Sequence, residues 1–217
     1  MTRSVAETTA KMMMTDWCAC PVDLSVPDNS EYDKGRPWLV IVLWHFIGAP
    51  LVRSNWLPVS SLKAALLKLF GARIGTGAYI KPGIKVKFPW YLTVGDHCWL
   101  GEDVWIDNLA PVTIGSHVCV SQGAYLCTGN HDWSSGNMRL FRKPITLRDG
   151  SWVGARAVVG PGTVVGVGAI VTAGSVISRD VPAGQIWTGN PARHARDRVV
   201  SGRSVAAVTT TVGCRPC

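Results

Sequence analysis

The feature that most restricts this chain is a six-residue spacing of aliphatic side chains. Leu147, Val153, Val159, Val165, Val171 and Ile177 follow one another at that interval, and Val153, Val159 and Val165 are each followed by glycine. An α-helix repeats every 3.6 residues and a half-buried strand every two, so neither keeps this set on one face. A hexapeptide β-helix does. Ile74-Gly75 and Ile80 open the pattern, Val94-Gly95, Leu100-Gly101 and Ile106 continue it, and Ile114-Gly115, Val120 and Leu126 follow after an offset.

Each hexapeptide supplies a short flat strand and a turn, with the aliphatic residue pointing to the axis and the small residue after it permitting the corner. Three units close one triangular coil, and residues 73–182 hold about five coils of about 18 residues once one interruption is set aside. The fold class is therefore an all-β solenoid, a parallel β-helix whose coils pair through backbone hydrogen bonds. Such hexapeptide solenoids coil left-handed, against the usual right-handed crossover of parallel strands. The interruption, residues 129–144, reads GNHDWSSGNMRLFRKP and is polar, aromatic and charged. A solenoid accepts such an insertion as a projecting loop, and loops on rigid scaffolds carry function.

Ahead of the repeats, residues 1–21 show no sustained period and are expected to be disordered. Residues 22–72 form an N-terminal extension, in which 27–35 reads as turns. Within it, 60–70 reads as a short helix with a serine cap, a stop at Gly71 and an apolar face of Leu62, Leu66, Leu69 and Phe70. Residues 183–217 form a C-terminal extension and basic tail. The stretch 38–52, WLVIVLWHFIGAPLV, is apolar apart from His45. It is shorter than the roughly 20 residues a spanning helix needs. Packing on the main domain is the first reading, and peripheral contact with a membrane surface, between Arg36 and Arg53, is the second.

Charge and cysteine narrow the classes further. The formal net charge is +8 over 217 residues, and from Arg179 onward six arginines face two acids. A short arginine-rich end suits one small phosphorylated ligand better than a nucleic-acid footprint, so no nucleic-acid partner is expected. Seven cysteines, an odd number without a recognisable export signal, fit reduced thiols and a cytoplasmic setting. Cys98, Cys119 and Cys127 read as small buried hydrophobes, and the lone Cys214/Cys217 pair lacks the second half-site a zinc centre needs.

Several segments together resemble one family. They are Asn108-Leu109-Ala110, the run Tyr125-Leu126-Cys127-Thr128-Gly129-Asn130-His131-Asp132 and the turn Gly189-Asn190-Pro191-Ala192. To these are added Asp28-Asn29-Ser30-Glu31-Tyr32, Leu66 to Ala72 and Phe88-Pro89-Trp90. Over about residues 22–196 the chain resembles the hexapeptide-repeat acetyltransferases, most closely the sugar O-acetyltransferases of colanic acid and exopolysaccharide biosynthesis. The resemblance implies homotrimers that bind acetyl-CoA as co-substrate, without a metal, in clefts between subunits. It implies a loop histidine, here His131, as general base. The chemistry agrees, because a neutral imidazole can take the proton of a sugar hydroxyl as its oxygen attacks a thioester.

By the same resemblance Trp152 lines the acetyl and pantetheine end, and Gly154, Ala155 and Ala173 give close backbone contact. Ser178 and Arg179 lie nearer the nucleotide, and Arg193 and Arg196 near phosphates. The family often has Thr-Lys where this chain has Ser178-Arg179. For the acceptor, Asp132 either holds the loop or contacts the sugar, and Trp133 either stacks on a sugar or pins the loop. Asp107 and Asn108 either bind the acceptor, orient His131 or simply form a corner turn.

The function expected is acetyl transfer from acetyl-CoA to a hydroxyl of a sugar, nucleotide sugar or lipid-linked oligosaccharide, at the inner face of a membrane if the acceptor is lipid-linked. The alternatives are a non-sugar acceptor such as serine, and a non-catalytic solenoid. A zinc enzyme of the carbonic anhydrase kind is disfavoured, since no second histidine is placed near the loop.

Overall fold

In the computed structural model, which describes residues 22–30 and 32–200, the chain divides into two compact units. Among the described residues, one unit comprises Lys34–Gly129 with 142–200, and the other 22–30, 32 and 33 with Asn130–Phe141. The first unit is the solenoid. Its first sheet stacks Arg73–Ile74, Leu92–Val94, Val112–Ile114, Ile145–Leu147 and Val164–Val165. The third stacks Lys85–Val86, Trp105–Asp107, Tyr125–Cys127, Val158–Val159 and Val176–Ile177. Between them in chain order, the second sheet runs from Tyr79–Ile80 through Trp99–Leu100, Cys119–Val120, Trp152–Val153 and Ile170–Val171 to Gln185–Gly189 and Ala192–Asp197.

The register explains the aliphatic spacing. Ile74, Val94, Ile114, Leu147 and Val165 align in the first sheet. Ile80, Leu100, Val120, Val153 and Val171 align in the second. Val86, Ile106, Leu126, Val159 and Ile177 align in the third. All fifteen are buried, and together they form the axial core. At roughly 1.5–3 kcal/mol for each large aliphatic side chain, these columns dominate the stabilisation of the stack.

Two features of the corners become clear once the coils are stacked. The glycines after the core aliphatics are needed for close approach, not for a left-handed backbone. A Cβ at Gly154 would lie 2.5 Å from the amide nitrogen of Ala173 on the next coil. The left-handed positions come two residues later, as at Gly77, His97 and His117. The offset after Ile106 also has a structural cause. In the first two coils the chain inserts extra residues between the third and first sheets: a 3-10 turn at Pro89–Tyr91, then the segment Asn108-Leu109-Ala110-Pro111.

The N-terminal extension of this unit is helical at Trp38–Leu43, Trp44–Gly48 and Ala49–Arg53, and again at Ser60–Leu69. The middle segment Trp44–Gly48 is a π-turn. Pro50 lies two residues beyond its end, after Ala49, and a proline lacks the N–H that a regular helix would use there. The helix Ser60–Leu69 departs from expectation on both cap and face. Ser60 does not cap it; its Oγ instead accepts from Ile80 N at 3.1 Å. Leu62 and Leu69 are exposed, while Leu67 and Lys63 are buried.

Lys63 is the unexpected member of that face. Its Nζ donates to the carbonyls of Val52 and, at 3.0 Å, Ser54, at the C-terminal end of Ala49–Arg53. A cation there satisfies end carbonyls and opposes the helix dipole. Burial holds its ammonium below the usual lysine range. Replacement by methionine, Lys63→Met, should lower the unfolding free energy by about 1–3 kcal/mol in a denaturant titration, because the carbonyls lose a charged donor.

The second unit is small. Asp23 N donates to Gly136 O at 2.8 Å and Leu140 N to Asp28 O at 3.1 Å, so the N-terminal segment is tied to the inserted loop. Side-chain turns at Asp23 with Ser25 and at Asp28 with Ser30 fix the segment locally. The expectations for residues 1–21 and for Cys214 and Cys217 fall outside the described residues. Among the described residues no helix is long and apolar enough to cross a membrane.

Candidate active site

The inserted loop begins and ends as a hairpin, Gly129–His131 pairing with Leu140–Arg142. His131 is exposed near its start, with Nδ1 2.6 Å from Met138 O. A carbonyl oxygen only accepts, so Nδ1 carries the proton of that bond, and in the neutral ring Nε2 is left with a free lone pair. Met138 sits in a left-handed conformation, φ 51°, which turns its carbonyl.

Asp132 next door is engaged within the loop. Its Oδ1 accepts from Ser134 Oγ at 2.5 Å and Ser134 N at 3.0 Å, and Oδ2 lies 3.6 Å from Arg139. These bonds to Ser134, with the Arg139 charge a smaller contribution, hold the carboxyl below the usual aspartate range. Its observed contacts are those of a loop brace. Trp133 is 87% exposed and therefore does not pin the loop.

A groove of about 360 Å³ runs along the second sheet of the solenoid. It brings together four residues expected on the coenzyme side, Trp152, Gly154, Ala155 and Ala173. Ser121, Gln122 and Thr172 line it too and escaped the sequence reading. The signal for Ser121 lay in the register: Trp152 pairs with Cys119, which places Ser121 beside Gly154 one coil earlier. Trp152 Nε1 donates to Ser121 Oγ at 2.9 Å, and the residue, 44% exposed, forms a groove wall as well as a surface cover.

Strand order extends this groove toward positive charge. Trp152–Val153 pairs with Ile170–Val171, that strand with Gln185–Gly189, and that in turn with Ala192–Asp197, which carries Arg193 and Arg196. Three inter-strand steps separate Trp152 from the arginine strand, about 14 Å at 4.8 Å each. Arg193 and Arg196 are exposed. Ser178 and Arg179 are exposed at a corner beyond Val176–Ile177, outside the groove lining.

Asp107 and Asn108 separate sharply. Asn108 is fully buried; its Nδ2 donates to Phe88 O at 2.6 Å and its Oδ1 accepts from Phe88 N at 2.9 Å. Of the three roles left open for Asn108, these bonds are those of a corner turn, and a side chain without exposed surface is not placed to contact an acceptor. Asp107 stays part-exposed, with Oδ1 3.1 Å from Lys87 Nζ and Oδ2 accepting from Tyr125 OH at 3.1 Å. The Lys87 contact is ionic, since Oδ1 lacks a hydrogen bond of good angle. Burial first, then Cys127 and Asp107, push the Tyr125 phenol above the usual tyrosine range, keeping it a neutral donor.

Of the cysteines, Cys98 is buried and Cys119 and Cys127 only partly so, because the latter two occupy outward positions on their strands. Among the described residues no cluster of three or more His, Cys, Asp or Glu is placed to hold a metal ion.

A family profile described as "Hexapeptide repeat of succinyl-transferase" matches residues 144–179. WcaF of Escherichia coli strain K12, named as a colanic acid biosynthesis acetyltransferase, is 38% identical over 166 residues, 76% of this chain and 88% of its own. The chain belongs to the hexapeptide-repeat acetyltransferases. The solenoid of this acetyltransferase is a left-handed parallel β-helix. Galactoside O-acetyltransferase of the same strain is 26% identical over 138 residues, covering 62% of the acetyltransferase and 68% of that protein. In three dimensions, a Vibrio cholerae hexapeptide-repeat acetyltransferase, VCA0836, solved with acetyl coenzyme A, matches with a TM-score of 0.69. That match has 24% identity and covers 77% of this chain and 93% of that one, a likeness of fold.

Proposed function

We propose that this acetyltransferase moves acetyl from acetyl-CoA to a hydroxyl of a sugar, nucleotide sugar or lipid-linked oligosaccharide, as a homotrimer. The observation that carries the reading is the imidazole of His131, whose Nδ1 is anchored on Met138 O and whose Nε2 is thereby left as a base. The acceptor oxygen attacks the thioester carbon while its proton passes to Nε2. The tetrahedral adduct then collapses, the carbon–sulfur bond breaks, and the departing thiolate takes the proton back from the imidazolium. No acyl-enzyme forms.

On this reading the coenzyme lies along the second sheet. Its thioester end sits against Trp152, its pantetheine arm beside Gly154, Ala155 and Ala173, and its phosphates near Arg193 and Arg196, with Ser178 and Arg179 toward the nucleotide. The sheet order supports that direction, because a mostly apolar groove gives way to an arginine-bearing strand. Asp107 and Trp133 are assigned to the acceptor, Asp132 to holding the loop. An acceptor carried on a lipid would bring the reaction to a membrane surface, and the apolar segment 38–52 is the part of the chain suited to meet it.

The donor half can be tested apart from the chemistry. Ala173 is exposed in the groove, so Ala173→Trp fills it without disturbing the core. Calorimetric titration should show acetyl-CoA binding weakened by at least about tenfold with the unfolding temperature unchanged, since a bulky ring displaces the arm. Unaltered affinity would move the coenzyme elsewhere. Transfer itself is measured as thiol release from acetyl-CoA against a panel of nucleotide sugars and oligosaccharides, with serine as the competing acceptor.

A further inference from the structure

The helical run from Trp38 to Arg53 is apolar nearly all round, yet the solenoid covers only a narrow spine of it. Trp44, Gly48 and Val52, four residues apart, are buried, and Trp44 Nε1 donates to Lys87 O at 2.9 Å. The remaining faces expose Trp38, Leu39, Leu43, Phe46, Ile47 and Leu51, with Trp38 and Phe46 at 72% and 70%. A helix apolar on every side is ordinarily buried or in lipid, and contiguous exposed apolar surface marks an interaction site. Trp56, just beyond the helix, is 96% exposed.

The charge around this surface is one-sided. From Lys34 to Gly95 the chain contains nine lysines and arginines and not one aspartate or glutamate. Arg36 and Arg53 flank the helical run and are exposed. Arg53 also lines a cavity of about 770 Å³ with Lys85, His45 and Trp56, where Asp103 is the one acid. Exposed apolar and indole side chains beside lysines and arginines, without acids in the segment, are what an anionic bilayer surface attracts. A second copy pairing this face with itself would set cation against cation; a trimer joins unlike faces instead, and sizing of the variants separates that contact from a bilayer.

We propose that Trp38–Arg53, with Trp56, is a membrane-docking surface that lies in the headgroup region of an anionic bilayer. Trp38, Phe46 and Ile47 enter the acyl boundary, while Arg36, Arg53 and Lys85 meet headgroup phosphates. Lys63 holds the C-terminal end of the run to Ser60–Leu69, so the surface is presented on a fixed element. The proposal deepens the membrane contact raised with the lipid-linked acceptor, and it stands or falls apart from acetyl transfer.

The test is co-sedimentation of the full-length protein with phosphatidylcholine vesicles, with and without phosphatidylglycerol. The native protein should pellet with the anionic vesicles and be released by high salt, because headgroup attraction is screened. Trp38→Ser combined with Phe46→Ser, and separately Arg36→Glu combined with Arg53→Glu, should each weaken vesicle binding by about tenfold or more. Acetyl-CoA binding and the unfolding temperature should stay native, which shows that the variants fold. Native protein that remains in the supernatant with anionic vesicles overturns the proposal, as does undiminished binding by the variants. A serine variant that sizes as a smaller oligomer than the native protein also overturns it, because the face would then belong to a contact between copies.

Discussion

Replacing His131 with alanine or asparagine should lower turnover with the best acceptor by on the order of a hundredfold or more, about 2.7 kcal/mol in the barrier. Acetyl-CoA affinity should be unchanged in both variants. The pair separates two roles that alanine alone confounds. His131 is tied to its loop through Nδ1 and Met138 O, so alanine removes an anchor as well as a base. Asparagine keeps an N–H donor for that carbonyl and supplies no group able to take a proton at neutral pH. Equal losses in the two variants identify a base. Recovery in His131→Asn would reduce the residue to a loop brace, and full turnover in His131→Ala would remove the proposed mechanism.

That experiment targets a residue visible in the sequence because the repeat is broken around it. Much of the fold was legible for the same reason. Leu147 to Ile177 keep a strict period since each coil there has 18 residues, and period alone placed all six inside. Val86 was not read, because Lys85, Lys87 and Phe88 surround it with side chains of no clear pattern; only the pairing of Val86 with Ile106 shows that it closes the first coil. The helix Ser60–Leu69 was found and Leu66 and Phe70 of its expected face do pack on the core, but Leu62 and Leu69 are exposed and Lys63 and Leu67 are buried in their stead. A lysine is a poor guess for a buried position, and what buries Lys63 is the end of another helix, a tertiary fact without a local signature. The groove was half legible: Trp152, Gly154, Ala155 and Ala173 came from resemblance, whereas Ser121 and Gln122 join them only once the coils are stacked.

Asn108→Ala should lower the unfolding temperature by roughly 4–12 °C while leaving turnover per folded molecule near native. The amide closes the inserted corner by pairing with both backbone groups of Phe88. Thr128 closes the same corner from the coil above, its Oγ1 accepting from Ala110 N at 3.0 Å and donating to Asp107 O at 3.0 Å. Losing two buried hydrogen bonds costs about 2–3 kcal/mol, and each kcal/mol is worth roughly 2–4 °C in a domain of this size. Asn108→Asp sharpens the case. An aspartate still accepts from Phe88 N–H, but its second oxygen faces the Phe88 carbonyl, so the ionised form is repelled and its folded-state pKa must rise. The folded protein then holds a proton that the unfolded chain releases, and stability falls as pH rises through that interval. Thermal unfolding of Asn108→Asp should therefore approach native at acid pH and fall away toward neutrality, relative to native protein at each pH. A variant of native stability whose KM for the acceptor has risen would return Asn108 to the acceptor site, against its complete burial.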